Sequence, residues 1–222
     1  MGLRRPRQAA FLLEAADRCA DHRRMNDRTV RPFPPAPESL AGRALIAMPG
    51  IGDSRFERAV VYVCAHNAEH AFGLLLNRPV DGLTAPSLLK KLGVNSQIEV
   101  PPDPVLYGGP VERERGFVLH TADYINNESS TLVDRGVALT ATRDILEAMA
   151  SHNRRPRHAF LALGYSGWGA GQLEHEIMEN VWLTCEPDEA LLFGQDFDHK
   201  WSMALGRLGV SPHQLSSVAG QA

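Results

Sequence analysis

The residues best placed to do chemistry lie in one run, Gly164-Tyr165-Ser166-Gly167-Trp168-Gly169-Ala170-Gly171-Gln172-Leu173-Glu174, between a strand-like apolar stretch and a helix-like one. Its first five residues resemble the nucleophile elbow G-x-S-x-G, in which a serine on a tight strand-to-helix turn is activated by a histidine and an acid later in the chain. Trp168 stands where the elbow needs its second glycine. Asp188, Asp196 or Asp198 with His199 or His213 follow in the required order, but nothing in their spacing ties them to Ser166. A serine-dependent hydrolase built on Ser166 is therefore the alternative reading. The main one is structural: the glycines allow positive φ and close packing, and Trp168 fills a gap between helix and sheet.

A glycine-rich turn into a helix can also hold an anion on free main-chain N–H groups. Here Gln172 occupies the third glycine position of G-x-G-x-x-G, no Walker lysine follows, and Glu174 and Glu176 would repel a phosphate. Metal ligation is no better supported. His175-Glu176-Ile177-Met178-Glu179 lacks the second histidine of H-E-x-x-H, while His66 and His70, beside Cys64, flank an expected turn and read as solvated. No metal and no cofactor is expected.

The elements that would position these residues are strands first and helices later. Residues 43–48, 58–65 and 71–77 read as strands rich in Val, Leu and Ile, the second and third joined by a hairpin. Thr84-Ala85-Pro86 opens a short helix that Gly93 ends, with proline where a missing N–H costs least. Residues 105–107, 116–121 and 136–140 are further strands, and residues 123–130 read as a polar loop. A helix capped by Thr140 or Thr142 presents Ile145, Leu146 and Met149 on one face, and residues 158–163 form another strand. Leu173, Ile177 and Val181 recur at helical spacing, as do Trp201, Ala204, Leu205 and Leu208. This order fits a single α+β domain around a largely antiparallel, bent sheet flanked by helices.

Residues 1–31 hold eight Arg against four acids and run into Pro32, Pro34, Pro35 and Pro37. Residues 1–38 therefore read as a disordered or weakly ordered N-terminal extension with a Pro-rich linker, and residues 39–222 as the folded domain. Removing the first 31 residues from the chain's 23 basic and 26 acidic residues leaves 15 against 22, a net of −7. Residues 172–198 contain eight acids and no Lys or Arg, and the one basic stretch, residues 151–158, lacks interleaved aromatics. Strong direct DNA binding runs against this balance, because phosphate neutralisation supplies most of such affinity. Cys19, Cys64 and Cys185 form no C-x-x-C pair, which fits a reducing cytoplasm. No apolar run approaches the ~20 residues that span a bilayer, and no signal-peptide core develops after Arg7.

Met48-Pro49-Gly50, Leu76-Asn77-Arg78-Pro79, Tyr107-Gly108-Gly109-Pro110-Val111 and the run from Gly164 to Glu174, taken in this order and spacing, resemble the YqgE/AlgH family of bacterial proteins. The resemblance covers about residues 40–215. It implies a compact cytosolic α+β domain with a bulged, strongly bent sheet and a suggested role in transcriptional regulation; it brings no catalytic residue with it. The chain is accordingly expected to be non-enzymatic and to act through a protein partner or a small ligand, with direct DNA binding as a further alternative. Asn77, Arg78, Gly109, Pro110, Ser166, Trp168 and Gln172 form the candidate interaction surface. They sit on three Gly- or Pro-constrained turns, each following a strand, which converge if the strand ends share one side of the sheet.

Overall fold

The computed structural model describes residues 39–134 and 136–215; the expected extension, residues 1–38, lies outside the described residues. The elements in chain order are β1 (Ala44–Ala47), β2 (Val60–His66), β3 (His70–Leu75), β4 (Pro79–Thr84), α1 (Ala85–Lys91), β5 (Pro104–Tyr107), β6 (Val111–Thr121), β7 (Ser130–Asp134) and β8 (Val137–Thr140). There follow α2 (Arg143–Met149), β9 (Ala159–Gly169), α3 (Gln172–Met178), β10 (Trp182–Cys185), α4 (Glu189–Phe193) and α5 (Lys200–Arg207). The strands make one ten-stranded sheet in the order β10-β1-β2-β3-β9-β6-β8-β7, with β4 on β5 and β5 on β9. Among the described residues only the β5–β9 pairing is parallel. The sheet curls into a half-barrel, so the expected α+β domain with a bent, largely antiparallel sheet is what the chain forms.

Alternation along the strands sorts the core. Ala44 and Ile46 of β1 face the concave side with Tyr62, Leu74, Phe117 and Leu119, and Trp201, Ala204 and Leu205 of α5 fill that hollow. Leu45 and Ala47 face outward, where Trp168, Leu173 and Trp182 pack on them. Farther along the outer face, α1 and α2 cover Val105, Val118 and Leu161. The period-2 geometry of a strand alone puts these two sets on opposite sides.

Strand β9 holds the half-barrel together, and it departs most from the sequence reading. The glycine-rich run read as a turn is strand as far as Gly169, and only Ala170 and Gly171 turn into α3. Gly164, at φ +73°, shifts the strand's phase: Phe160 and Ala162 face the hollow before it, and after it Tyr165 does so while Trp168 faces outward. One left-handed residue thus switches faces without ending the strand, as a β-bulge does. Before the switch β9 pairs with β5 and β6; beyond it, Ser166 to Gly169 pair with β3.

Candidate functional site

The main chains of the two glycine motifs press together. A Cβ on Gly108 would lie 2.2 Å from the Gly164 carbonyl oxygen, and one on Gly164 would lie 2.5 Å from that of Gly109. The Gly108 N–H donates to Leu163, and its carbonyl accepts from the Leu75 N–H and from the Ser166 hydroxyl at 3.3 Å. Ser166 has no exposed surface. It is a mid-strand residue, not the tip of an elbow, and no histidine hydrogen-bonds to it among the described residues.

Asn77 and Arg78 adjoin this junction. The buried Asn77 amide accepts from Val60 N–H and donates to the Arg58 carbonyl, tying the end of β3 to the start of β2. Arg78 accepts on its carbonyl from the Tyr107 N–H, and its guanidinium donates to the carbonyls of Glu57 and Asn77. Gly109 is buried against Tyr165, and Pro110 leads into β6. Asn77, Arg78, Gly109, Pro110 and Ser166 are therefore brought together.

Trp168 and Gln172 sit farther along β9 and on α3. Trp168 is 6% exposed, stands T-shaped to Trp182 with centroids 6.0 Å apart, and donates its indole N–H to Glu176 Oε2 at 2.9 Å. The Trp182 indole donates to the same oxygen at 2.7 Å, and the Gln172 amide donates to Oε1 at 2.8 Å. Glu176 is the knot of this clamp. In the sequence Glu176 reads as a charge that would repel an anion and as part of a broken H-E-x-x-H motif, neither of which points to a clamp.

Tyr107, within the Tyr107-Gly108-Gly109-Pro110-Val111 motif, joins the site although the sequence pattern does not single it out. Between Val111 opposite Tyr165 and Gly116 opposite Leu163, β6 leaves its ladder and residues 112–115 bulge outward. Arg113 from this bulge places its guanidinium 5.8 Å from the centre of the half-buried Tyr107 ring. Glu112, the first residue of the bulge, has a φ of +45°, and Arg58, whose carbonyl accepts from the Asn77 amide, has a φ of +51°. Such backbone costs roughly 1–3 kcal/mol each and persists where the surroundings enforce it. Among the described residues, Arg58, Arg78 and Arg113 have no carboxylate partner, whereas Arg55 pairs with Asp53 and Arg115 with Glu112.

Other polar clusters are closed on themselves. Asp144 accepts from Tyr124, Asn126 and Ser129 on one oxygen and from Thr142 on the other, which fastens the loop before β7 to α2. Burial alone would raise its pKa; the hydrogen bonds outweigh it and hold the carboxyl at about 2. His120 is fully buried, donates from Nδ1 to the Thr121 carbonyl and accepts at Nε2 from Thr140, and burial lowers its pKa. The Lys200 ammonium, also buried, donates to the carbonyls of Leu191 and Leu192 at the end of α4, and burial brings its pKa down to about 8.

His66 is not solvated as expected: its Nδ1 accepts from the Leu40 N–H and its Nε2 lies 2.9 Å from Glu174, because the entering chain and α3 cover it. In the basic stretch 151–158, Arg157 and His158 both pair with Glu189, and Arg154 lies over the Tyr124 ring. Two clefts border Pro104, Ala159 and Phe160, one of them touching Lys200; they hold about 20 and 30 Å³, room for a water or two.

Fold and junction define a half-barrel α+β domain whose glycine motifs lock main chain to main chain. The AlgH-like family profile matches residues 44–213, and the chain belongs to that family. The UPF0301 protein of Caulobacter vibrioides strain NA1000 is 60% identical over 185 residues, 83% of this chain and 95% of that protein. A UPF0301 protein of Bradyrhizobium diazoefficiens is 48% identical over 88% of this chain and 94% of its own length. The solution structure of the AlgH protein from Pseudomonas aeruginosa matches with a TM-score of 0.67 and 37% identity, covering 84% of this chain and 98% of that one. A crystal structure from Corynebacterium diphtheriae, TM-score 0.60 at 17% identity over 86% and 93% of the two chains, shares the fold.

Proposed function

We propose that this protein is a non-enzymatic cytoplasmic interaction domain that works by contact with a protein partner through the surface around Tyr107, Arg78 and the β6 bulge. The observation that carries the reading is the state of Ser166: its hydroxyl has no exposure and is spent on the Gly108 carbonyl, so the residue that most resembles a nucleophile builds the floor of the surface. A rigid floor of interlocked glycines below strained, exposed arms is how a scaffold presents binding residues. The two clefts beside Pro104 and Phe160 are too small for a drug-sized ligand, which needs ~300 Å³ or more of enclosed space. A regulatory output of the kind the family resemblance suggests would then pass through the partner, because the net charge of −7 beyond residue 31 opposes tight contact with DNA.

The test is covalent labelling of the intact chain with a fluorophosphonate probe. Ser166 is expected to stay unmodified. Stoichiometric labelling at Ser166, abolished by Ser166→Ala, would overturn the non-enzymatic reading.

A further inference from the structure

We infer that the Tyr107 surface recognises a short acidic segment of its protein partner, with carboxylates seated on Arg78 and Arg113 beside the phenol ring. This rests on the contact reading above and specifies its partner. A guanidinium matches a carboxylate with two parallel N–H donors, and Arg113, already stacked over Tyr107, is held with one face on the ring and its edge free to donate. Arg78 adjoins Tyr107 through the Tyr107 N–H, which donates to the Arg78 carbonyl, and its guanidinium is oriented by the Glu57 carbonyl.

The other charges nearby set the length of the partner segment. Asp53 and Glu112 are occupied by Arg55 and Arg115, whereas Glu57 and Glu114 are exposed and carry no ion pair among the described residues. Those two carboxylates would repel a long polyanion, so the surface suits one or two acids flanked by apolar side chains. Val111, 36% exposed at the base of the bulge, offers apolar contact beside them. The left-handed backbone of Glu112 fixes the bulge that carries Arg113 before binding, which lowers the ordering cost of a short contact.

The experiment titrates the full chain with the capped peptide Leu-Glu-Leu-Glu-Leu, two acids flanked by apolar side chains. Its readout is amide chemical shifts, because the eight Arg of residues 1–31 would also attract the peptide and must be told apart. Shifts are expected at Tyr107, Gly108 and residues 111–115, with affinity falling about threefold to tenfold in Arg78→Gln and in Arg113→Gln. The matching Gln-Leu peptide should leave those amides unmoved. Equal shifts with the Gln-Leu peptide, unchanged affinity in both variants, or tighter binding of oligo-dT of the same length would overturn the acidic-segment assignment. So would a change of oligomeric state in Arg113→Glu, which would make the occupant a second copy. If the peptide fails while Arg78- and Arg113-dependent crosslinks still form from Val111, the partner chemistry falls and the contact surface stands.

Discussion

Replacing Trp168 by alanine tests whether the glycine-rich end of β9 is anchored or merely adjacent to α3. The ring is 6% exposed, packs against Trp182, and supplies one of the two indole N–H groups that meet Glu176 Oε2. Truncating a buried tryptophan costs about 3–5 kcal/mol, which for a domain of this size lowers Tm by about 10 °C. Trp168→Phe separates the two contributions: most packing is kept and one hydrogen bond to a carboxylate is lost, a cost of about 1–2 kcal/mol because Glu176 is half-buried. Urea denaturation of both variants, with Trp182→Phe and the double Phe variant, closes a cycle through the shared carboxylate. Coupling above about 0.5 kcal/mol is expected, since removing the second indole leaves Glu176 Oε2 without either. A loss below about 1 kcal/mol in Trp168→Ala would refute the anchoring argument.

Asp144→Ala should destabilise by about 2–4 kcal/mol, since it strands the Tyr124, Asn126, Ser129 and Thr142 donors around one site. Its folded pKa of about 2 lies below the ordinary 3.8, so Asp144's share of stability is present above pH ~4 and lost as pH falls from there towards ~2; acid titration of wild type against the variant reads it. Lys200 has the same pH direction in a higher window, although there it is the charged form that is penalised. Its folded pKa of about 8 lies below the ordinary 10.5, so wild type should gain stability relative to Lys200→Met as pH rises from ~8 to ~10.5, as chemical denaturation across that range would record. Gly164→Ala should cost more than about 2 kcal/mol by urea denaturation, because the φ of +73° and a carbonyl 2.5 Å from the new Cβ both oppose it. Deleting residues 1–38 should move Tm by less than about 5 °C by calorimetry, given their charge and proline content.

The apolar strands were legible because a half-barrel buries both faces of β1 and β2, and their Val, Leu and Ile runs advertise it. Strand β4 was not, since Pro79-Val80-Asp81-Gly82-Leu83-Thr84 is largely solvent-facing and reads as a turn. Of strand β7 only Ser130 falls in the expected polar loop, and Thr131 and Leu132 are both exposed, which hides the alternation of the rest. The glycines of β9 misled for another reason: the three-way crowding of Gly108, Gly109 and Gly164 is a contact between distant segments, and composition alone suggests a turn. At the site, sequence supplied Asn77, Arg78 and the glycine motifs as neighbours in kind but not the reason they meet. Tyr107, Arg113 and Glu176 became visible only once the β6 bulge and the α3 clamp were in place.

The central claim, that function runs through the Tyr107 surface, is tested most directly by a photocrosslinking amino acid placed at Val111 in bacterial cells, with the same group at Leu132 on the β7 edge as control. Both positions are exposed, at 36% and 49%, and they lie on different strands of the sheet. A discrete adduct from Val111 that is absent from Leu132, retained in Ser166→Ala and lost in Arg78→Glu/Arg113→Glu is the expected result. Equal adducts from both positions, or a Val111 adduct unaffected by the double charge reversal, would contradict it.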